Sequence, residues 1–268
     1  MSALELSGLN VYPVKSARGV ACASATVGPR GLDGDRRWMV VEGERVFLSQ
    51  RTRPRLALVS VAQTGSHLVL SAPGTEPLTL ARPPEDAATV RVRVWDDVCD
   101  AQPAPHGASG WISAVLGCAC ELVFMPDASH RAVERRGAAP DAEVGFADSY
   151  PFLLISEASL ADLNRRLARP VEMNRFRPNL VVRGCAPYAE DGWRRIRIGQ
   201  VVFHVVKPCS RCATTTVDQA TAERGREPLA TLATYRRVGD KVMFGQNLVH
   251  EGGGALRVGD EVTVLERS

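Results

Sequence analysis

Apolar residues in the first hundred positions come in short runs: Leu4 to Val14, Trp38 to Val41, Leu56 to Val61, His67 to Leu70 and Val90 to Trp95. Several alternate with polar residues, and Gly, Pro or charged residues close each of them. Runs of this length and period predict strands, not helices. The segment Pro103 to Gly110 (PAPHGASG) is a small-residue linker, and Trp111 to Leu116 after it has the composition of a brief helix. In the second half, Pro151 to Ile155 is continuously apolar and reads as a buried strand. Ser156 then offers an N-cap to the amphipathic run EASLADLNRRLA, with Glu157 in its first turn and Arg165 and Arg166 in its last, as the helix dipole favours. Pro178 stops any helix before it. Asn179 to Val182 and Val201 to Val206 are β-branched enough for strands, and Glu227 to Arg237, with a proline early, predicts a second helix. Near the C-terminus, Gly259-Asp260 between two alternating runs predicts a hairpin within Leu256 to Leu265.

Composition narrows this picture. At 268 residues the chain exceeds the usual size of one hydrophobic core, so two domains are expected, 1–105 and 111–268, divided at the linker. Hydrophobic residues make up 45% and charged residues 24%, which excludes a disordered or fibrous chain. The net charge of +3 comes from 33 basic and 30 acidic residues without a block of like charge, so no nucleic-acid partner is indicated. No apolar run approaches the ~20 residues needed to span a bilayer, and Met1 leads into LELSGLNVYPV without a signal-peptide pattern. A cytoplasmic protein with no membrane association is expected. Seven cysteines at irregular spacing suggest reduced thiols, one or two of which do chemistry.

The strongest local motif is KPCSRCATTTVD, Lys207 to Asp218, where Cys209 and Cys212 flank Ser210 and Arg211 after an apolar strand. A C-x-x-C serves as a zinc half-site, a redox dithiol or a soft ligand set for another metal, and two cysteines can also simply pack as small hydrophobes. Zinc would need a second pair, and Cys118-Ala119-Cys120 is poorly spaced for one. A dithiol would sit at a helix start, which the β-branched run Thr214 to Val217 disfavours. Other segments have the makings of an anion site. Tyr12 to Ser16 ends a strand with a lysine and a hydroxyl, and Gly34 to Trp38 carries two arginines. Asn174 to Asn179 (NRFRPN) adds guanidinium forks suited to phosphate. Each taken singly also reads as a solvated turn.

Together these segments resemble the MOSC family, in particular members with an N-terminal MOSC β-barrel domain such as the amidoxime-reducing components. The resemblance covers nearly the whole chain: YPVKS, GDRRWMV, PFLLISEASLADLN, NRFRPNLVV, CSRC followed by TTVD, EPLATLATYR and FGQN, in that order. It implies a mainly β (α+β) fold: a β-rich N-terminal domain, then a MOSC β-barrel domain with a few peripheral helices. It further implies a molybdenum–molybdopterin cofactor (Moco) with Cys212 as the protein sulfur on the metal and Ser210 and Arg211 against the pterin. Lys15, Ser16, Arg36, Ser149, Tyr150, Arg177 and Asn179 would line the pterin and its phosphate, with Asn247 facing the same cavity. A thiolate is a soft, strongly donating ligand that suits such a metal. Where family members often have a small residue before PFLLISE, this chain has Tyr150.

The activity implied is reduction of small N-hydroxylated molecules: amidoximes, hydroxylamines and N-hydroxylated bases. The chain has no C-x4-C-x2-C run of a plant-type ferredoxin, so electrons are expected from a separate protein, a ferredoxin, flavoprotein reductase or cytochrome-like donor. Two rivals stay open: a sulfur or molybdenum-cofactor carrier using a Cys212 persulfide, as the likeness to the C-terminal domain of molybdenum-cofactor sulfurases suggests, and a non-catalytic binding protein.

Overall fold

The computed structural model describes residues 3–64, 67–105, 107–133 and 142–268. Residues 1 and 2 of the expected first domain and His106 of the expected linker lie outside them. The chain is mostly β, as its alternation predicts, with three α-helices among the described residues.

The largest sheet has nine strands. Its hydrogen-bonded order is Val20–Ala21, Glu5–Val11, Leu180–Arg183, Phe152–Ser156, Lys241–Glu251, Val201–Arg211, Trp193–Ile198 and Val262–Arg267, with Arg237–Val238 paired to Lys241–Glu251 beside this path. Phe152–Ser156 is buried along its whole length. Phe152 and Leu154 enter one core, and Leu153 and Ile155 another. Successive side chains of a strand point to opposite faces, so a strand covered on both must be apolar throughout, which is why PFLLI shows no alternation. The strand passes directly into the helix Glu157–Arg166, whose Ser159 N–H donates to the Ser156 hydroxyl at 3.0 Å. The other helices are Ala108–Leu116 and Leu229–Tyr235, close to where they are expected.

In the first half, Val90–Val94, Asp97–Pro103, Glu121–Phe124, Trp38–Glu42 and Val46–Phe47 form a closed barrel, which leaves no strand edge open. Trp38 and Val40 point to one core and Met39 and Val41 to the other. The halves are stitched together across the linker. Glu121–Phe124, beyond it, pairs with Trp38–Glu42, while Glu5–Val11 pairs with Leu180–Arg183 in the large sheet.

Two local expectations are corrected. Part of the run Leu56 to Val61 is a 3-10 turn, Pro54–Leu58, and the strand is Ser60–Thr64. Pro54 opens the turn because its ring sets φ and removes a ladder donor. At Gly259-Asp260 a turn forms, with Asp260 N–H donating to Arg257 O at 3.0 Å, but no hairpin. Gly254–Arg257 pairs with Ser24–Gly28, and Val262–Arg267 with Trp193–Ile198. The N-terminal strand separates the flanks: Leu6 O accepts from Gly259 N–H and Leu4 O from Val262 N–H, both at 2.8 Å.

Candidate active site

The eleven residues singled out from sequence meet in one place. Lys15, Ser16 and Arg36 from the first half, with Ser149, Tyr150, Arg177, Asn179, Ser210, Arg211, Cys212 and Asn247 from the second, line a cleft of about 160 Å³. Val201–Arg211 carries the cysteine motif there. This eleven-residue strand pairs with Lys241–Glu251, and the register slips between Val205 and Lys207 and again between Pro208 and Ser210, which bends its end. Cys212 follows in extended backbone and opens a single 3-10 turn, Ala213–Thr216, not an α-helix. In FGQN, Gly245 has φ +78°, and a Cβ there would stand 2.6 Å from Ile155 Cγ1 and 2.9 Å from the Leu154 carbonyl. Only glycine fits this crossing.

Backbone strain gathers at the cleft. Ser16, Arg36 and Arg177 have φ of 67°, 47° and 59°, a region unfavourable for non-glycine residues. Such conformations persist where surroundings over-determine them, and the Arg36 side chain shows how. Its guanidinium donates to Asp35 Oδ2 at 2.5 Å and Asn179 Oδ1 at 2.9 Å. Asp35 also accepts from the Tyr12 N–H at 2.8 Å and Asn179 Nδ2 at 3.2 Å. Burial raises the Asp35 carboxyl above its usual range, against the pull of the neighbouring Arg36. Arg36 and Arg177 both lie over the Tyr12 ring, at 4.4 and 4.3 Å, and burial pushes the Tyr12 hydroxyl up to about 12.

Positive charge is in surplus. Lys15, Arg36, Arg51, Arg175, Arg177 and Arg211 line the cleft, and among the lining side chains Asp148 is the carboxylate. Asp35 and Asp218 pair with Arg36 and Arg175 at 2.5 and 2.7 Å. Lys15 enters already paired, its buried ammonium donating to Asp148 Oδ1 at 2.6 Å and Phe146 O at 2.7 Å. Burial pushes Lys15 down to about 8 despite Asp148. Desolvation by the cleft walls opposes ionisation of Asp148, which itself stays more than half exposed, but Lys15 and, beyond it, Arg51 hold its carboxyl well below the usual range.

Arg177 and Arg211 are only partly used. Arg177 Nη1 donates to Ala17 O at 2.5 Å, and Arg211 reaches Cys209 Sγ at 2.9 Å and Phe176 O at 2.6 Å. The buried Arg177 Nη2 and Arg211 Nε have no hydrogen-bond partner. Buried donors are nearly always satisfied, so a ligand with acceptor oxygens would complete both. Surplus cations, unfilled guanidinium donors and a cleft thiol fit a phosphorylated cofactor that binds soft sulfur. Two of the eleven have quieter surroundings: the Tyr150 ring is buried with Val133, Val144, Ala147 and Val249 under Lys207, and Asn247 Nδ2 donates to Pro208 O at 3.5 Å.

Among the described residues no group of three or more His, Cys, Asp or Glu is placed to hold a metal ion, and Cys118 Sγ accepts from Arg53 Nε at 3.2 Å. Other lining residues went unnoticed in the sequence. Arg51 Nη1 lies 3.7 Å from Cys212 Sγ. Arg51, Asp148 and Cys212 also face a larger opening of about 720 Å³, to which Trp95, Asp96, Asp97, Arg131, Lys207 and Lys241 contribute.

Comparison with known proteins sets this geometry in context. Residues 3–119 match the MOSC N-terminal beta barrel domain and residues 141–263 the MOSC domain. The chain is 37% identical to mitochondrial amidoxime-reducing component 1 of Homo sapiens over 275 residues, covering 95% of this chain and 81% of the relative. The chain belongs to the MOSC family. Within that family it is also 35% identical to mitochondrial amidoxime reducing component 2 of Rattus norvegicus, over 94% of this chain and 80% of that one. Molybdenum cofactor sulfurase of Oryza sativa subsp. japonica is 30% identical over 100% of this chain but only 35% of the sulfurase. The MOSC match beginning at 141 starts just before the cleft segment Ala147 to Tyr150 and takes in Arg177, Cys212 and Asn247. The N-terminal match contains Lys15, Ser16, Arg36 and Arg51, so the cleft draws on both.

Proposed function

We propose that this MOSC protein is a molybdenum-cofactor-dependent reductase of N-hydroxylated compounds. One observation carries the reading: a cleft built by both halves joins the Cys212 thiol to surplus cations and to buried guanidinium N–H groups that lack partners. Amidoxime-reducing relatives aligned over most of their length favour this chemistry.

Cys212 would supply the protein sulfur, with Ser210 and Arg211 against the pterin. Arg177 and Arg211 would complete their hydrogen bonding on its phosphate and ring oxygens, and Lys15, Ser16, Arg36, Ser149, Tyr150, Asn179 and Asn247 would shape the remaining wall. When bound, a molybdenum–molybdopterin cofactor supplies a two-electron couple able to take oxygen from nitrogen. The overall reaction converts an amidoxime, two electrons and two protons into an amidine and water. A separate ferredoxin, flavoprotein or cytochrome-like donor would deliver the electrons, and the larger opening offers the substrate a way to Cys212. The strain at Ser16, Arg36 and Arg177 means that the cleft is shaped before any ligand arrives, which limits reorganisation at each turnover.

The alternative, a sulfur or molybdenum-cofactor carrier using a Cys212 persulfide, is favoured less, because the likeness to the Oryza sativa sulfurase covers only 35% of that protein. Metal analysis of protein expressed in a host that makes the cofactor, followed by benzamidoxime reduction with an artificial electron donor, tests the choice. Stoichiometric molybdenum and formation of benzamidine are expected. A persulfide on Cys212 without molybdenum would overturn the proposal.

A further inference from the structure

Arg51 and Trp95 belong to no sequence motif, yet both line the larger opening, where Arg51 approaches Cys212. The backbone around Arg51 is held from both halves. Gln50, fully buried, donates to Ser16 O at 2.7 Å and exchanges amide hydrogen bonds with Gln219 at 3.1 and 2.9 Å, while Arg224 donates to the Gln50 and Arg51 carbonyls. The Arg51 guanidinium lies 4.1 Å from the Trp95 ring and 5.7 Å from that of Phe47, and its Nη1 stands 3.7 Å from Cys212 Sγ. Among the described residues, that long contact with sulfur is the one hydrogen bond of its side chain. Most of its five N–H donors are therefore uncommitted at the edge of the opening that Arg51 lines.

Trp95 is an unusual neighbour. It stays 45% exposed and adopts φ +58° in the two-residue turn that joins Val90–Val94 to Asp97–Pro103. Its indole N–H donates to Asp148 Oδ1 at 3.2 Å, the oxygen that also accepts from Lys15. The ring, tied to the cleft carboxylate and stacked on the guanidinium, fixes where that guanidinium lies.

We propose that Arg51 binds the N-hydroxyl oxygen of the substrate beside Cys212, and that Trp95 is its positioning residue. The proposal rests on the reductase reading. As the N–O bond breaks, the oxygen gains negative charge and departs as water, taking two protons from solvent while the donor protein supplies two electrons. A fixed guanidinium stabilises that developing charge without giving up its own proton, and cation–π contact with Trp95 keeps it in place.

The test uses molybdenum-loaded protein and benzamidoxime, with molybdenum content, kcat/KM and equilibrium binding in the absence of electron donor measured for each variant. Arg51→Gln should keep its molybdenum, lose about 10- to 100-fold in kcat/KM and bind benzamidoxime more weakly, as expected for loss of a charged hydrogen bond. Arg51→Lys should recover part of the loss. Trp95→Ala should fall in the same direction and Trp95→Phe should recover most of it. The double variant should be no worse than Arg51→Gln alone, because a positioning residue acts only through its partner. Unchanged kcat/KM in Arg51→Gln, loss of molybdenum from it, or additive losses in the double variant would overturn the proposal. Loaded wild-type protein that reduces no N-hydroxylated compound would overturn the underlying reading instead.

Discussion

One wall of the cleft, its rear, is formed by Arg36, Arg177 and Asn179 and backed by the buried Asp35, side chains that, apart from the open donor of Arg177, bond to one another or to backbone. The other side, its front on the larger opening, comprises Arg51 and the exposed Trp95 and Asp148, joined by a ring stack, an indole hydrogen bond and the ion pair of Asp148 with Lys15. The side chain of Asp35 is 2% exposed and that of Asp148 is 59%. The rear wall suits a group that binds once and stays, because its polar atoms are desolvated and aligned in advance. The front wall suits a molecule that enters and leaves, since its charges still trade with water. Cys212 lines both the cleft and the larger opening, so its thiol lies where the two meet.

The comparison breaks first at the junction itself. Cys212→Ser should abolish reduction and lower molybdenum retention, because a hydroxyl is a poor ligand for a soft-sulfur site. Cys209→Ser should keep most activity, since its sulfur accepts from Arg211 and has no further assigned part. Equal losses in the two variants, read as molybdenum per chain and kcat, would remove the assignment of Cys212.

Next come the walls. Asp35→Ala should cost about 3–5 kcal/mol of unfolding free energy, because it leaves the Arg36 guanidinium without its carboxylate and the Tyr12 N–H without an acceptor. Asp100→Ala, which breaks an exposed pair with Arg91 on the barrel, should cost less than about 1 kcal/mol. Urea denaturation of both distinguishes a pre-built rear wall from ordinary surface charge, and similar costs would erase the distinction. Arg177→Ala should leave folding nearly intact yet weaken cofactor binding by roughly 1.5–3 kcal/mol, the value of a charge-assisted hydrogen bond. Pterin content after gel filtration is the measurement, and unchanged content would count against a phosphate contact.

The rear-wall segments are picked out through the family resemblance and the front is not, since each segment taken singly reads as a solvated turn. YPVKS, GDRRW, NRFRPN and CSRC place charged residues at strand ends, where backbone geometry aims them together once the strands pair. Arg51 sits in SQRTRPR and Trp95 in VRVWDD, strings that look like solvated turns. Their role comes from a stack between two loops, a contact that no local period records. The Gly259-Asp260 turn failed in the same way: local chemistry predicted the turn correctly, but the partner of each flank was decided by Leu4 and Leu6, about 250 residues away along the chain.

The mildest test of the walls themselves probes the ion pair of Lys15 with Asp148. Lys15 titrates near 8 in the fold, well below the usual 10.5 of a lysine, because burial outweighs the attraction of Asp148. A group whose folded pKa lies below its unfolded value releases its proton on folding. Between those two values the unfolded chain binds more protons, so stability rises with pH across that window. Cofactor-free wild-type protein should therefore gain roughly 1–2 kcal/mol relative to Lys15→Met between about pH 7 and about pH 9.5. Asp148→Asn removes the attraction that favours the ammonium, so in that variant the rise should begin at lower pH. Urea unfolding at several pH values measures both. A flat difference between wild type and Lys15→Met would mean that the ammonium is not desolvated in the cleft, and the rear wall would then be as wet as the front.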